Sequence, residues 1–343
     1  MRVIPMMVLG ALAAGPAPAG AQPAPPRDVV RAAVREALRA EPARAYQGRD
    51  RGRDQSDRFS RKVRLGRDGR VTIGNVSGNI VVTGGSGDEV SIDAVKRGRD
   101  QSQLANVRIV VDDRPGRVDV RTEYDSGRFS RNNNVSVDYT VTVPSGASVE
   151  MKSVSGNVKV TGVRGAVRAE SVSGDVTTAD TPKVETAKSV SGNVMLSGIQ
   201  IDGELSATSV SGTVSAKGVR AHSLDLGSVS GDLVVSDVTC DRLNAKSVSG
   251  GFEYSGSIAK GGSYDVNLHS GTARFALTNP AGFELTASTF SGSIRSDWPL
   301  TIGGSASRER NGDRRRSMRA TFGDGSATLT VHTFSGDIVI AKR

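Results

Sequence analysis

Residues 153–194 read SVSGNVKVTGVRGAVRAESVSGDVTTADTPKVETAKSVSGNV, and the tetrapeptide SVSG starts at 153, 171 and 189, 18 residues apart each time. After Gly156, Val158 and Val160 alternate with Asn157, Lys159 and Thr161. A turn follows at Gly162 to Gly165, and then Val167 and Ala169 alternate with Arg168 and Glu170. Alternation with period two marks a half-buried strand. Each period therefore predicts two short strands and two turns. One such coil cannot bury its apolar face alone, but coils stacked at ~4.8 Å can.

The pattern extends in both directions. Ser-Gly corners fall at Ser77-Gly78, Ser155-Gly156, Ser173-Gly174, Ser191-Gly192, Ser211-Gly212, Ser230-Gly231 and Ser249-Gly250. Variants continue at Ser270-Gly271, Ser291-Gly292 and Ser335-Gly336. From Ser155 to Ser291 the steps are 18, 18, 20, 19, 19, 21 and 21 residues, a fixed period diagnostic of a repeat architecture. Glycine accepts positive φ at a corner, and the Asn or Asp that often follows suits a turn. The prediction is an all-β chain, a parallel β-solenoid of about 18–21-residue coils with two short strands per coil. An antiparallel sandwich would need tight Asn-Gly hairpins, which are missing from residues 150–290.

Two intervals break the period. Ser77 and Ser155 are 78 residues apart, and Ser291 and Ser335 are 44 apart. The expected organisation is an irregular β section over 63–152 that caps regular repeats over 153–343, with a basic insertion at 303–319. Before it, residues 22–62 form a short amphipathic helix and a charged linker. The helix rests on Val29, Val30, Ala33, Val34, Ala37 and Leu38. Residues 1–21 read as a secretory signal: Met1-Arg2, an apolar core from Val3 to Ala14, and a small-residue site ending at Ala21. That core is too short to span a bilayer, and no second apolar span follows.

Composition narrows the function classes. The 343 residues carry a net charge of +9, 4% aromatics and a single cysteine, Cys240. So few aromatics cannot furnish the girdles of a membrane barrel. One cysteine leaves an exported chain without an internal disulfide, so stability must come from packing and backbone pairing. Cys240 fits a small buried apolar position.

The stretch Val71–Gly84, with Asn75-Val76-Ser77-Gly78-Asn79-Ile80, the run Tyr139-Thr140-Val141-Thr142-Val143-Pro144, and the serial corners together resemble a bacterial family. Its members are exported β-strand-repeat proteins named putative adhesins, with a domain of unknown function related to the head of autotransporter adhesins. The resemblance covers roughly residues 63–343. It implies surface or envelope association and supplies no catalytic residues.

The sequence offers no catalytic constellation. There is no Gly-x-Ser-x-Gly elbow, and a serine repeated in every coil is the pattern of a structural corner. The histidines His222, His269 and His332 lie far apart, with no zinc-ligand spacing. The corner residues Asn157, Asp175, Asn193 and Asp232 could stack along one edge, but two are neutral amides, a poor set for calcium. Acids such as Glu170, Asp175 and Glu185 are interleaved with bases, with no convergent pair for glycan cleavage. A basic loop with Arg308, Arg310, Arg314, Arg315, Arg316 and Arg319 is the candidate contact for a polyanion. Nearby aromatics to stack bases are lacking, which disfavours nucleic acid.

The expectation is a non-catalytic envelope or surface scaffold without catalytic, metal or cofactor residues. Its partner would be an envelope protein or glycan, and self-association through the open solenoid ends is a further expectation. The alternatives are a polyanion- or glycan-binding module and a polysaccharide-active enzyme.

Overall fold

Alternation decides which side chains go inside. Val158 and Val160 are buried with exposed Lys159 between them, and Val167 and Ala169 are buried around exposed Arg168. The computed structural model describes residues 55–125, 135–280, 282–302 and 316–343. All of them fall within the compact unit Gly52–Arg343. The expected signal segment, the N-terminal helix, residues 126–134 and most of the basic insertion lie outside the described residues, whereas the last residues of the expected charged linker fall in the strand Gln55–Arg64, paired with Glu89–Gly98.

The described chain is a two-sheet stack, as the repeat spacing predicts. Each regular coil gives one short strand to sheet A and one longer strand to sheet B. Along sheet A run Ile80–Gly85, Val158–Thr161, Val176–Ala179, Val194–Ser197, Val214–Lys217, Leu233–Ser236, Phe252–Gly256 and Ala273–Leu277. Along sheet B run Arg70–Ser77, Ser148–Ser155, Val167–Ser173, Val184–Ser191, Gln200–Ser211, Arg220–Ser230, Thr239–Ser249 and Ser263–Ser270. Neighbours in both series are parallel and in register, so that Ser155 aligns with Ser173 and Ser173 with Ser191.

The two long intervals are not gaps in the stack. Ser77 is in register with Ser155, because the chain leaves the first coil, builds the cap and returns directly onto it. At the other end the last coil in sequence is not the last in space. Ala327–Ser335 lies between Ser263–Ser270 and Gly282–Ser291, which puts the coil of Ser291 outermost.

Further strands close both ends; Arg117–Tyr124 runs parallel to Arg70–Ser77, and the others pair antiparallel. Gln55–Arg64 and Glu89–Gly98 extend sheet A, while Arg117–Tyr124 and Val107–Arg114 extend sheet B. Arg316–Gly323 pairs antiparallel with Gly282–Ser291 at the far end. The edge strand Gln55–Arg64 is mostly exposed and carries Arg58, Arg61 and Lys62, charges that discourage strand addition.

The core lies between the sheets and changes along the axis. The 18-residue coils fill it with Val158, Val160, Val176 and Ala169. The coils of 19–21 residues enclose more space, and Phe252, Tyr254, Tyr264 and Phe275 fill it, as interiors packed to near-crystalline density require. Phe252 and Phe275 lie 5.3 Å apart between ring centroids, and Tyr254 meets Tyr264 edge-on at 5.8 Å. Both hydroxyls are satisfied. Tyr254 donates to the Ser257 carbonyl at 2.5 Å and Tyr264 to the Cys240 carbonyl at 3.1 Å. Cys240 itself is buried, and burial pushes its thiol up to about 12.

Candidate interaction face

The corner decides which side chains sheet B shows to solvent. In Val167–Ser173 the inward positions are Val167, Ala169 and Ser171, and the outward ones Arg168, Glu170 and Val172. The hydrogen-bonded corner serine is therefore the first of each SVSG. Ser171 Oγ donates to the Gly156 carbonyl of the preceding coil at 2.9 Å. Ser189 reaches Gly174 and Ser209 reaches Gly192, each at 2.8 Å. The second serines, Ser155, Ser173 and Ser191, are exposed. At the first rung the Asn75 amide donates to the Gly78 carbonyl at 2.9 Å, and buried Ser153 Oγ has no partner.

Glycine is demanded by the neighbouring coil. A Cβ on Gly174 would lie 2.2 Å from the Gly156 carbonyl oxygen, and one on Gly192 2.3 Å from that of Gly174. The residue after the glycine locks the same corner. Asn157 Oδ1 accepts the Asp175 N–H at 2.8 Å, and Asp175 Oδ1 accepts that of Asn193 at 2.7 Å. Asp232 accepts from Gly251 at 2.8 Å, and Asp337 from Ser293 at 2.7 Å. These bonds from Ser293 hold the Asp337 carboxyl below its ordinary value. The ladder oxygens considered for calcium are thus engaged with backbone amides. Among the described residues no three His, Cys, Asp or Glu side chains converge on a metal position.

Outside this corner runs a continuous apolar ladder. In spatial order its ten rungs are Val76, Val154, Val172, Val190, Val210, Val229, Val248, His269, Phe334 and Phe290. Its valines and phenylalanines are 37–51% exposed. The last three rungs are stacked rings: His269 on Phe334 at 5.1 Å and Phe334 on Phe290 at 5.0 Å, with nearly parallel planes. Tracing strands only up to the corner hides these valines, because parity must be carried through it. Counting by twos from Val167 passes through Ser171 and leaves Val172 outside.

The column beside the ladder is polar: Gly74, Lys152, Glu170, Lys188, Thr208, Gly227, Lys246, Asn267, His332 and Ser288. Between the two columns, over the first five rungs, lies a groove of about 720 Å³, walled at its end by Arg121 and Thr122. Its cations are largely neutralised. Lys152 bonds Glu150 at 2.8 Å, which lowers the Glu150 carboxyl and raises the ammonium. Arg121 bonds Glu123 at 2.7 Å and Asp112 at 2.9 Å, and its pKa is raised by both.

The sequence-predicted basic cluster is only partly described. Arg316 donates to the Gly292 carbonyl at 2.8 Å, and Arg319 stands opposite Thr286 in the strand pair. Arg308, Arg310, Arg314 and Arg315 lie outside the described residues. The three histidines stay apart. His222 contacts Asp241 at 2.9 Å, His269 stacks in the ladder, and His332 Nδ1 meets Ser288 Oγ at 2.6 Å.

Two stacked parallel sheets with glycine corners define a β-solenoid scaffold whose notable surface is this ladder. Residues 69–341 match the family described as Toastrack DUF4097, and the chain belongs to it. Among solved structures it is similar to a putative adhesin from Bacteroides fragilis, at 15% identity and TM-score 0.41, covering 82% of this chain and 96% of that one. A putative lipid binding protein from Parabacteroides distasonis matches at 12% identity and TM-score 0.42, covering 83% and 97%. A putative cell adhesion protein from Clostridium sporogenes matches at 10% identity and TM-score 0.24, covering 84% and 100%. No curated protein matches the chain.

Proposed function

We propose that the protein is a non-catalytic scaffold of the cell envelope or surface that works by contact, in the manner of an adhesin. The observation that carries this reading is the apolar ladder. Ten rungs at ~4.8 Å give a stripe about 43 Å long on a rigid sheet. Contiguous apolar surface of that extent marks an interaction site. The signal-like residues 1–21 support export, and no helix among the described residues is long and apolar enough to cross a membrane. The first serines of the corners, Ser171, Ser189 and Ser209 among them, are bonded into the stack, and among the described residues the close pair Ser288 and His332 shows no carboxylate bonded to the ring. Both features favour a non-catalytic role.

The test compares the full chain with Val190→Asp/Val210→Asp on the ladder and Met195→Asp on the outer face of sheet A. Retention is measured on immobilised envelope polysaccharide, on phosphatidylglycerol vesicles and on immobilised protein of the same sequence. The ladder pair should abolish whichever retention occurs, and Met195→Asp should preserve it. Equal retention by the ladder pair and the unaltered chain refutes the assignment of this face.

A further inference from the structure

We propose that the ladder's partner is the ladder of a second copy, joined face to face in an antiparallel two-fold dimer. This rests on the contact reading above and names the partner.

Area is the first ground. With the ladder's valines and phenylalanines 37–51% exposed, the stripe offers roughly 700 Å² per copy, near the ~800 Å² per partner of a stable interface. The polar column beside it brings the contact to that size. The pairing is also isologous, so it closes at two copies instead of propagating.

Shape is the second ground, and it fixes the direction. One end of the ladder is a ridge of three stacked rings, Phe290, Phe334 and His269. The other end is a row of valines beside the 720 Å³ groove. A two-fold axis parallel to the strands sets the ridge of each copy against the valine row beside the groove of the other. Phe290 then faces Val76, Phe334 faces Val154, and His269 faces Val172, each twice per dimer. Parallel pairing would oppose ring to ring and valine to valine. In the antiparallel register Arg168 of one copy also faces Asp265 of the other. Lys188 faces Lys246 at the flank, where flexible stems carry both charges to water.

Charge is the third ground. The groove's Lys152 and Arg121 are already bonded to Glu150, Glu123 and Asp112, and its Lys188 stands in register beside Glu170, so little cation is left over for an anionic amphiphile. A largely neutral apolar surface suits another copy of itself.

The experiment is sedimentation equilibrium of the full chain from about 1 to 100 µM, a range that resolves ordinary transient and stable dimers. The expected result is a species of twice 35.8 kDa. Val190→Asp/Val210→Asp should weaken the association at least 100-fold, because symmetry places each new charge in the interface twice. Val190→Thr/Val210→Thr, which keeps β-branching, should weaken it less, with unchanged circular dichroism. Direction is read with a short bis-maleimide linker that can span the ~10 Å between packed sheets. Val210→Cys and Val229→Cys, near the axis, should cross-link. Val76→Cys should cross-link only when mixed with Phe290→Cys. Buried Cys240 gives no background. A monomer at 100 µM, or a dimer indifferent to the Asp pair, overturns the proposal. Self-linking of Val76→Cys overturns the antiparallel arrangement. A monomer that still shows ladder-dependent retention on polysaccharide or vesicles overturns self-pairing alone and leaves the contact reading intact.

Discussion

Replacing Gly174 with alanine should destabilise the solenoid by about 2–6 kcal/mol. The residue has φ +156°, a region nearly reserved for glycine, and forcing an L side chain there costs about 1–3 kcal/mol. The added Cβ would also lie 2.2 Å from the Gly156 oxygen and 2.5 Å from its carbon. Both are backbone atoms pinned by the parallel pairing of the coils, so neither can rotate away. Overpacking of this kind adds about 1–3 kcal/mol. Gly116 is the control: its φ is +73° and an added methyl group would meet nothing within 4 Å, so alanine there should cost only about 1 kcal/mol. Urea unfolding followed by far-ultraviolet circular dichroism separates the two. With a slope of about 3 kcal/mol/M, Gly174→Ala should lower the midpoint by about 0.7–2 M and Gly116→Ala by roughly a third of a molar. Equal shifts for both variants would refute the claim that the stacked carbonyl, beyond the turn conformation, is what requires glycine.

Ser189→Ala should lose about 1 kcal/mol, because Ser189 Oγ donates to the Gly174 carbonyl, whereas Ser173→Ala at the exposed neighbour should fall within about 0.5 kcal/mol of the unaltered protein; thermal melts of the pair decide it. Asp175→Asn should be nearly neutral, since Asn157 and Asn193 make the same bond to the next coil, while Asp175→Ala should cost about 1 kcal/mol. Adding calcium or a chelator should shift neither melt, and a rise with calcium would reopen the ladder as a cation site. Burial raises Tyr139 and Tyr264 to about 12 and Tyr254 upward as well. Unfolded tyrosines ionise at about pH 10, so the folded state binds more protons above that pH. Stability is then full below about pH 10 and falls as pH rises towards about 12. Tyrosinate absorbance at these three residues should appear together with loss of circular dichroism, and its appearance at about pH 10 in a folded protein would contradict their burial.

The architecture was legible because a strand repeats every two residues and the coil every 18–21, and both periods survive in the sequence. The neighbours across the two long intervals were not legible. Nothing local in Ser77 or Ser335 says that the first lies directly against Ser155, or that the second slips between Ser270 and Ser291. Those placements depend on where a distant chain segment returns. The roles of the two serines were legible only in part. The glycine is the visible signal and points to Ser173 beside it, although parity assigns the inward place to Ser171. The basic insertion stands out through composition, while the apolar ladder is hidden inside the very repeat that reveals the fold.

Strand propensity does not explain that ladder. A β-branched residue at an outward position helps a sheet, but threonine serves that purpose as well as valine and keeps the surface wet. The adjacent outward column shows what the fold tolerates: glycine, lysine, glutamate, threonine, asparagine, histidine and serine all occur there. Two residues further along each strand, seven successive rungs are valine, and the series ends in three rings that stack on one another. Both columns share the same strands and the same outward face, although the ladder position is the one that the strand registers skip at the corner. The apolar character confined to one exposed column is what the proposed contact would use. A second ladder of the same pitch of about 4.8 Å, reversed so that rings meet valines, supplies it without any other molecule.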